Sequence, residues 1–425
     1  MRLVLFDLEC QSRQNFYPLA LNRPIWELWT GMTTLGAKLA AAADCDEVVC
    51  FVPPYMAAAY RQTTTWVVND LARLAGDDLF LVNPRLQSDA MPAVTLGPSE
   101  LTLSPEGELL LGRVTAEDAA KLAAGSIEQF VAAAVETLAT TRREAPTWRY
   151  TWELMLDNGA QLMADFAAAG RSGIEAAAKR PPAFLGSKKD VYVAPTATLH
   201  PMVVIDASNG PVYIDEHAEI HPFTRIEGPC YVGAGSVLLG AKCRAGTTIG
   251  PVCRVGGEVE QSILLGYINK YHDGFLGHAV VGQWVNLGAM TSNSDLKNDY
   301  SDVSVVLDGR QSVATGSKKV GAMIGDHTRT SIGVLLNTGA YVGAMAMLLA
   351  TGGLLPKFVP SFTWMQHGRI GDPLLDRQRL YNAAQVATGR RNCTWTDADR
   401  AMWEAIFEQT APQREAARAW QEANA

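Results

Sequence analysis

Residues 214–238 read IDEHAEIHPFTRIEGPCYVGAGSVL, with an aliphatic residue at every sixth position: Ile214, Ile220, Ile226, Val232 and Leu238. Glycine, alanine, threonine and proline recur between them. The pattern starts upstream at Val193, Leu199 and Ile205 and pauses for a short insertion before Ile214. It restarts, shifted, at Ile249 and Val255, and continues around Ile324 and Val342. A period of six matches neither the 3.6-residue turn of a helix nor the two-residue alternation of a strand. A fixed repeat sustained over this length signals a solenoid. Six residues per flat side, with small residues at the corners, predicts three-sided coils of parallel β-structure. That is a left-handed parallel β-helix, an exception to the usual right-handed crossover, expected over residues 190–364. Accidental spacing in another β-rich domain is the lesser alternative.

The regions on either side read differently. Residues 1–180 predict an α/β unit. LVLFD (3–7), EVVCFV (47–52) and DLFLVN (78–83) are strands, and 32–43 is a helix. Alternating strands and helices imply a mostly parallel sheet. Residues 100–112 predict a hairpin turning at Pro105, Glu106 and Gly107, and 115–140 and 152–169 are helical by pattern. After Pro356, Pro360 and Pro373, residues 365–425 predict a helical extension. There Thr396 is an N-cap, Asp397 and Asp399 suit the first turn, and Trp403, Ile406 and Phe407 form an apolar face expected to pack on the body or on a neighbouring subunit.

The chain has 425 residues, 48% hydrophobic and 19% charged, with a formal net charge of −8. This is a globular composition. The acidic balance argues against nucleic acid or an anionic membrane as the main partner. The N-terminus lacks the apolar core of a signal peptide, and no apolar run reaches membrane-spanning length. Seven cysteines, an odd number without CxxC spacing, predict free thiols in a reducing cytoplasm.

Three segments carry a resemblance to a known family: GGEVEQSILLGYINKYHDGFLGHAVVGQWVNLGAMTSNSDLKNDY (256–300), IGDHTRTSIGVLLNTGAYVG (324–343) and LPKFVPSFTW (355–364). With the α/β unit before them, they resemble the GlmU-type bifunctional enzymes. Those join an N-acetylglucosamine-1-phosphate uridylyltransferase to a glucosamine-1-phosphate N-acetyltransferase. The resemblance is nearest to a divergent bacterial branch of GlmU-family sugar nucleotidyltransferases. It implies a nucleotidyltransferase-like, Rossmann-like N-terminal domain and an acyltransferase-like β-helix. The substrates implied are a sugar-1-phosphate, an NTP (UTP favoured) and acetyl-CoA, with Mg²⁺ if the N-terminal domain is active. A homotrimer and nucleotide-sugar biosynthesis of the UDP-N-acetylglucosamine type follow from the same resemblance.

Acetyl transfer to an amine needs a base, a donor for the oxyanion and cations for the sugar phosphate. Imidazole titrates near neutral pH and suits the first task. The resemblance places His272 at the family's catalytic histidine and Ala289 where a backbone N–H faces the oxyanion. Glu258 falls at a sugar-contacting or histidine-supporting position, and Asn286 at a substrate-contacting one. Arg244 and Lys297 match phosphate-contacting positions, and Lys270 is a local third candidate. An isolated histidine would more often be a surface loop residue, and each basic residue is as readily a solvated charge. His278 reads as an ordinary exposed coil residue. Phe275 stands where most members carry a tyrosine, and Glu260 where they carry a lysine.

The N-terminal unit departs further. The first strand is followed by LECQSRQNFYPLALNRPIWEL rather than a glycine-rich phosphate loop. Arg13, Arg23 and Lys38 are the candidate nucleotide-binding cations. Asn83 and Arg85 occupy the segment where a metal-binding aspartate is expected. Asn158, with Asp157 beside it, resembles a Mg²⁺-holding asparagine, although both residues could simply cap elements. A two-carboxylate Mg²⁺ site is not evident. Two rival readings stay open: nucleotidyl transfer alone with a structural or allosteric β-helix, and a non-catalytic sugar-nucleotide-binding scaffold.

Overall fold

The strand Arg2–Phe6 is an unbroken apolar run whose Leu3, Val4 and Leu5 are fully buried. Such runs are typical of parallel strands covered on both faces. In the computed structural model it pairs in parallel with Glu47–Phe51 on one side and Leu79–Val82 on the other. The model describes every residue except 123–124, 177–181, 372 and 424–425, and only the backbone of residues 373–376. The expected boundary at residue 180 lies outside the described residues.

The first sheet has seven strands. Val67–Val68 extends its parallel part, and the hairpin Glu100–Leu103/Leu109–Val114 adds antiparallel strands, turning at the expected residues. Helix Leu35–Ala43 starts where the Thr34 hydroxyl accepts from Ala37 N. Two expected helices are each divided. Over 115–140, Ser126 caps a second helix, Ile127–Thr137, and residues 139–142 leave helix to pair with Glu100–Leu103. Over 152–169, Thr151–Leu156 ends at Asp157 and Asn158–Ala169 follows.

From Gly173 to Gln366 the described residues form a three-sided prism of parallel strands, interrupted by one excursion. One face alone stacks ten of them. Tyr213 pairs with Tyr231, Tyr231 with Thr248, and Thr248 with Ile263 along this face. Its inward column is Val193, Ile214, Val232, Ile249, Leu264, Val281, Ile324, Val342 and Val359, all essentially inaccessible. Each such aliphatic side chain contributes about 1.5–3 kcal/mol on burial. Three residues after most inward residues the backbone turns a corner at positive φ: His217, Phe223, Val252, Tyr267, Trp284, Met290, His327, Met345 and Phe362. The fold is thus an α/β sheet unit followed by a left-handed β-helix and C-terminal helices, as expected.

The three parts pack on one another. Residues 303–320 leave the prism as a hairpin, Ser304–Val306 with Ser312–Ala314. Val303, Val305 and Val320 join Phe16, Leu19, Trp148 and Trp152 in one apolar cluster. The C-terminal helix Asp397–Gln409 begins at a capping box between Thr396 and Asp399. Its Trp403, Ile406 and Phe407 are buried with Phe362, Met345 and Tyr60. The seven cysteines are free. No helix among the described residues is long and apolar enough to cross a membrane.

Candidate active site

The hexapeptide phase dictates the surroundings of His272. Val255 pairs with Lys270, so Lys270 occupies an inward position reserved elsewhere for aliphatic side chains. It is 2% exposed. Its ammonium donates to Gly256 O at 2.8 Å and to His272 O at 2.9 Å. Burial pulls it down to about 8, opposed by the Asp273 carboxylate. Lys270 therefore does not reach out to a phosphate; it ties the corner from inside. His272 projects from that corner, exposed, its ring edge-on to Tyr271 at 5.2 Å.

One step before each inward residue, the same face presents an outward ladder: Arg254, Asn269, Asn286 and Arg329. Asn269 Nδ2 donates to Asn286 Oδ1 at 2.6 Å. These residues, with Tyr271 and His272, line a cavity of about 360 Å³. Its far wall is the end of the helix Pro373–Gly389 and the residues just beyond, which bring Arg390 and Arg391. Arg329 donates to Ala383 O at 2.7 Å, fastening that helix to the prism. No carboxylate lines the cavity among the described residues. Burial, then the facing Arg390, lowers the pKa of Arg329; burial, then Arg254 and Arg390, lowers that of Arg391. Four like charges around one hollow repel one another, and an anion relieves the repulsion.

The remaining candidates divide between two sides of the corner. Asn286 shares the cavity with His272. Glu258 pairs with Phe275 on the adjoining face and is held by Arg244 at 3.1 Å. Lys319 and Arg244 both approach Glu260. Lys297 is tied to Ser301 and to Asp302 O in its own loop. Ala289 is half-buried and its carbonyl accepts from Gly333 N. His278 corrects the expectation of an exposed residue: it is 4% exposed, and its Nδ1 lies 2.7 Å from Asp295 Oδ2. A buried imidazole needs such a partner. Sequence reasoning missed Arg254, Arg329, Arg390 and Arg391. The first two were detectable as arginines one step before an inward position; the last two reach the site only through tertiary packing.

A second hollow, about 290 Å³, opens at the carboxyl ends of Arg2–Phe6 and Leu79–Val82. These strands flank the point where the chain order of the sheet reverses, the usual ligand crevice of such sheets. Asp7, Arg13, Asn83, Arg85 and Glu108 line it. Arg13 Nε is 3.5 Å from Asp7, Arg85 pairs with Glu108, and burial raises the Asp7 carboxyl despite Arg13. Each carboxylate already faces a guanidinium, so these residues do not fit a two-carboxylate Mg²⁺ site. Arg13 Nη1 is buried without a partner among the described residues.

The other N-terminal candidates are drawn elsewhere. Arg23 pairs with Asp326 of the prism, to which Asn22 also donates at 3.0 Å. They line a larger cavity of about 610 Å³ with Trp395 and Trp403. There, burial brings His327 down to about 3, so it stays neutral. Lys38 is held by Asp165 at 2.6 Å and Gln161 at 2.8 Å. Asn158 is fully buried: its Oδ1 accepts from Gly31 N, and its Nδ2 donates to Gly246 O and Thr248. It clamps the sheet unit to the prism and has no capacity left for Mg²⁺. Asn158 therefore does not fit a metal role. Asp157 accepts from Gln161 at the junction of two helices.

Residues 3–172 match the family model described as sugar nucleotidyl transferase. The chain is 35% identical over 150 residues to a bifunctional sugar-1-phosphate nucleotidylyltransferase/acetyltransferase of Sulfurisphaera tokodaii, covering 33% of this chain and 35% of that one. It is 31% identical over 105 residues to the bifunctional protein GlmU of a Jannaschia species, covering 24% of this chain and 22% of that protein. The GlmU of Albidiferax ferrireducens is 41% identical over 91 residues, 18% of this chain and 19% of its own. The chain thus spans about a third or less of the length of these relatives. A crystal structure of a UDP-N-acetylglucosamine acyltransferase superposes over 59% of this chain and 95% of its own at 16% identity. Its TM-score of 0.25 is too low to carry weight.

Proposed function

We propose that the His272 corner is an acyl-transfer centre for an amino-sugar phosphate, with acetyl-CoA as acyl donor. The supporting observation is the cavity beside His272, lined by four arginines and no carboxylate among the described residues. It suits a doubly charged phosphate far better than a neutral sugar. In this reading the phosphate rests among Arg254, Arg329, Arg390 and Arg391. Asn286 contacts the sugar, and the amine lies against His272. The imidazole removes the amine proton as nitrogen attacks the thioester carbonyl. The C–N bond forms and the C–S bond breaks. The proton passes to the departing thiolate, and the Ala289 N–H faces the oxyanion. Arg244, Glu258 and Lys297 line the outer approach on the adjoining face.

The N-terminal crevice is the seat of a nucleotide or nucleotide sugar. The buried Arg13 Nη1, without a partner among the described residues, suits a phosphate oxygen, whereas Asp7 and Glu108 are engaged by Arg13 and Arg85. This favours binding over Mg²⁺-dependent nucleotidyl transfer in that half. Three units, 1–180, 190–364 and 365–425, share the work in a cytoplasmic homotrimer. The chain serves nucleotide-sugar biosynthesis.

Acetyl-CoA-dependent thiol release, screened over amino-sugar phosphates, tests the first half. His272→Ala should lower the rate by about 10²- to 10⁴-fold without moving the melting temperature. His217→Ala, a distant exposed corner histidine, should change neither. Wild-type activity in His272→Ala would refute the mechanism. UTP without Mg²⁺ should raise the melting temperature by mass action. No shift with any NTP would leave the crevice without this role.

A further inference from the structure

Two coils along the prism from Arg254, one cluster outside both sites has the composition of a metal centre. His200, Glu219 and His221 lie together on one face of the prism, with side chains 34%, 42% and 31% exposed. Their ligand atoms all lie within 4.8 Å of one another. His200 Nε2 is 2.8 Å and His221 Nε2 is 3.2 Å from the same oxygen, Glu219 Oε1. The imidazoles stack at 4.6 Å, 16° from parallel. Register produces this: Leu199 pairs with Ile220, so His200 and His221 stand side by side, one step past inward residues. Glu219 precedes Ile220 and points to the same outer face, because side chains two apart share a side.

A tetrahedral zinc ion with bonds of about 2.0–2.1 Å holds its ligands roughly 3.3 Å apart; the two histidine–carboxylate spacings are close to this, and the two imidazole nitrogens lie within 4.8 Å of each other. Two imidazoles and a carboxylate are ligands for zinc-type ions rather than for Mg²⁺ or Ca²⁺, which take oxygen donors. We propose that His200, Glu219 and His221 bind one zinc-type divalent cation, with water in the fourth position. The ion replaces the imidazole–carboxylate contacts. The strand Thr198–Leu199 is a two-residue edge of its sheet. A metal there staples this coil to the next one, adding to the Thr196 contacts with Glu216 and His217 N. Arg254 also acts on Glu219 and opposes the cation, so the site is weaker than its ligand count alone implies. The proposal is independent of the acyl-transfer reading.

The test is calorimetric titration of Zn²⁺ into the full chain after EDTA treatment and dialysis, with melting curves in parallel. One ion per chain should bind and raise the melting temperature. Co²⁺ should give the intense visible absorption of a tetrahedral site. His221→Ala and Glu219→Gln should each weaken binding by at least about 100-fold, more than losing an outer-shell partner does. Glu219→Gln keeps a hydrogen-bonding amide between the rings, so its metal-free melting should match that of the wild type. His217→Ala should bind as the wild type does. Zn²⁺ binding unchanged in both ligand variants would place the ion elsewhere, for instance on the exposed Cys10 thiol, and overturn the proposal. So would no binding above the dialysis blank.

Discussion

Lys270 shows how one residue can shape a site without touching its contents. Its ammonium sits where the repeat calls for an aliphatic chain, and it holds the carbonyl of His272 from within. The folded-state value of about 8 lies below the ordinary 10.5. Between these values the native chain has shed a proton that the unfolded chain retains. The unfolded state then binds more protons, so this group adds stability as pH rises from about 8 towards 10.5. Below pH 8 the cost of the buried charge is fully present. Chemical denaturation of the wild type and Lys270→Met from pH 7 to 10 should therefore give a stability difference that moves in favour of the wild type with rising pH. A flat difference would mean that the ammonium is solvated.

At the scale of elements, the helix Pro373–Gly389 matters as the wall that completes the arginine cavity. Charge-assisted hydrogen bonds are worth about 1.5–3 kcal/mol each. The double substitution Arg390→Ala/Arg391→Ala should therefore raise KM for a phosphorylated amino sugar by about tenfold or more, with kcat little changed. A dephosphorylated analogue should be indifferent to it. Equal losses on both substrates would sink the phosphate assignment. The prism, the sheet and the capped C-terminal helix were readable in the sequence because each follows a local rule: a period of six, unbroken apolar runs, a Thr–Asp capping box. The role of Asn158 was not, because its side chain satisfies Gly31 and Gly246, groups far away in the chain. For the same reason Arg23, Lys38 and Asn158 read as ligand residues, when their partners in fact lie within the protein. A sequence displays a charge, but not the carboxylate that folding brings to it.

At the scale of the molecule, one edge of the prism carries a line of exposed apolar corners: Met202 at 65%, Phe223 at 74%, Met290 at 57% and Ile332 at 71% exposure. Phe223 N donates to Met202 O, and Gly333 N to Ala289 O, so these corners form two neighbouring pairs, with Asp273 beside Met290 between them. His272 projects from the same edge. An apolar line of this kind calls for a covering surface, and a second copy of the chain meeting it would close over His272. Light scattering at micromolar concentration should give the mass of a trimer, and Phe223→Asp should shift it towards the monomer. A monomeric wild type would exclude a shared site.

The pairing of Arg23 with Asp326 also sets a timetable. A ribosome makes the first residue long before the second, and also finishes Trp148 and Trp152 well before Val303 and Val305 reach them. Until then the nascent sheet carries an uncompensated guanidinium and a bare apolar flank. Long-range closure of this kind is slow, and the half-made chain is the form most exposed to aggregation. The N-terminal half, expressed alone, would be frozen at that unfinished moment.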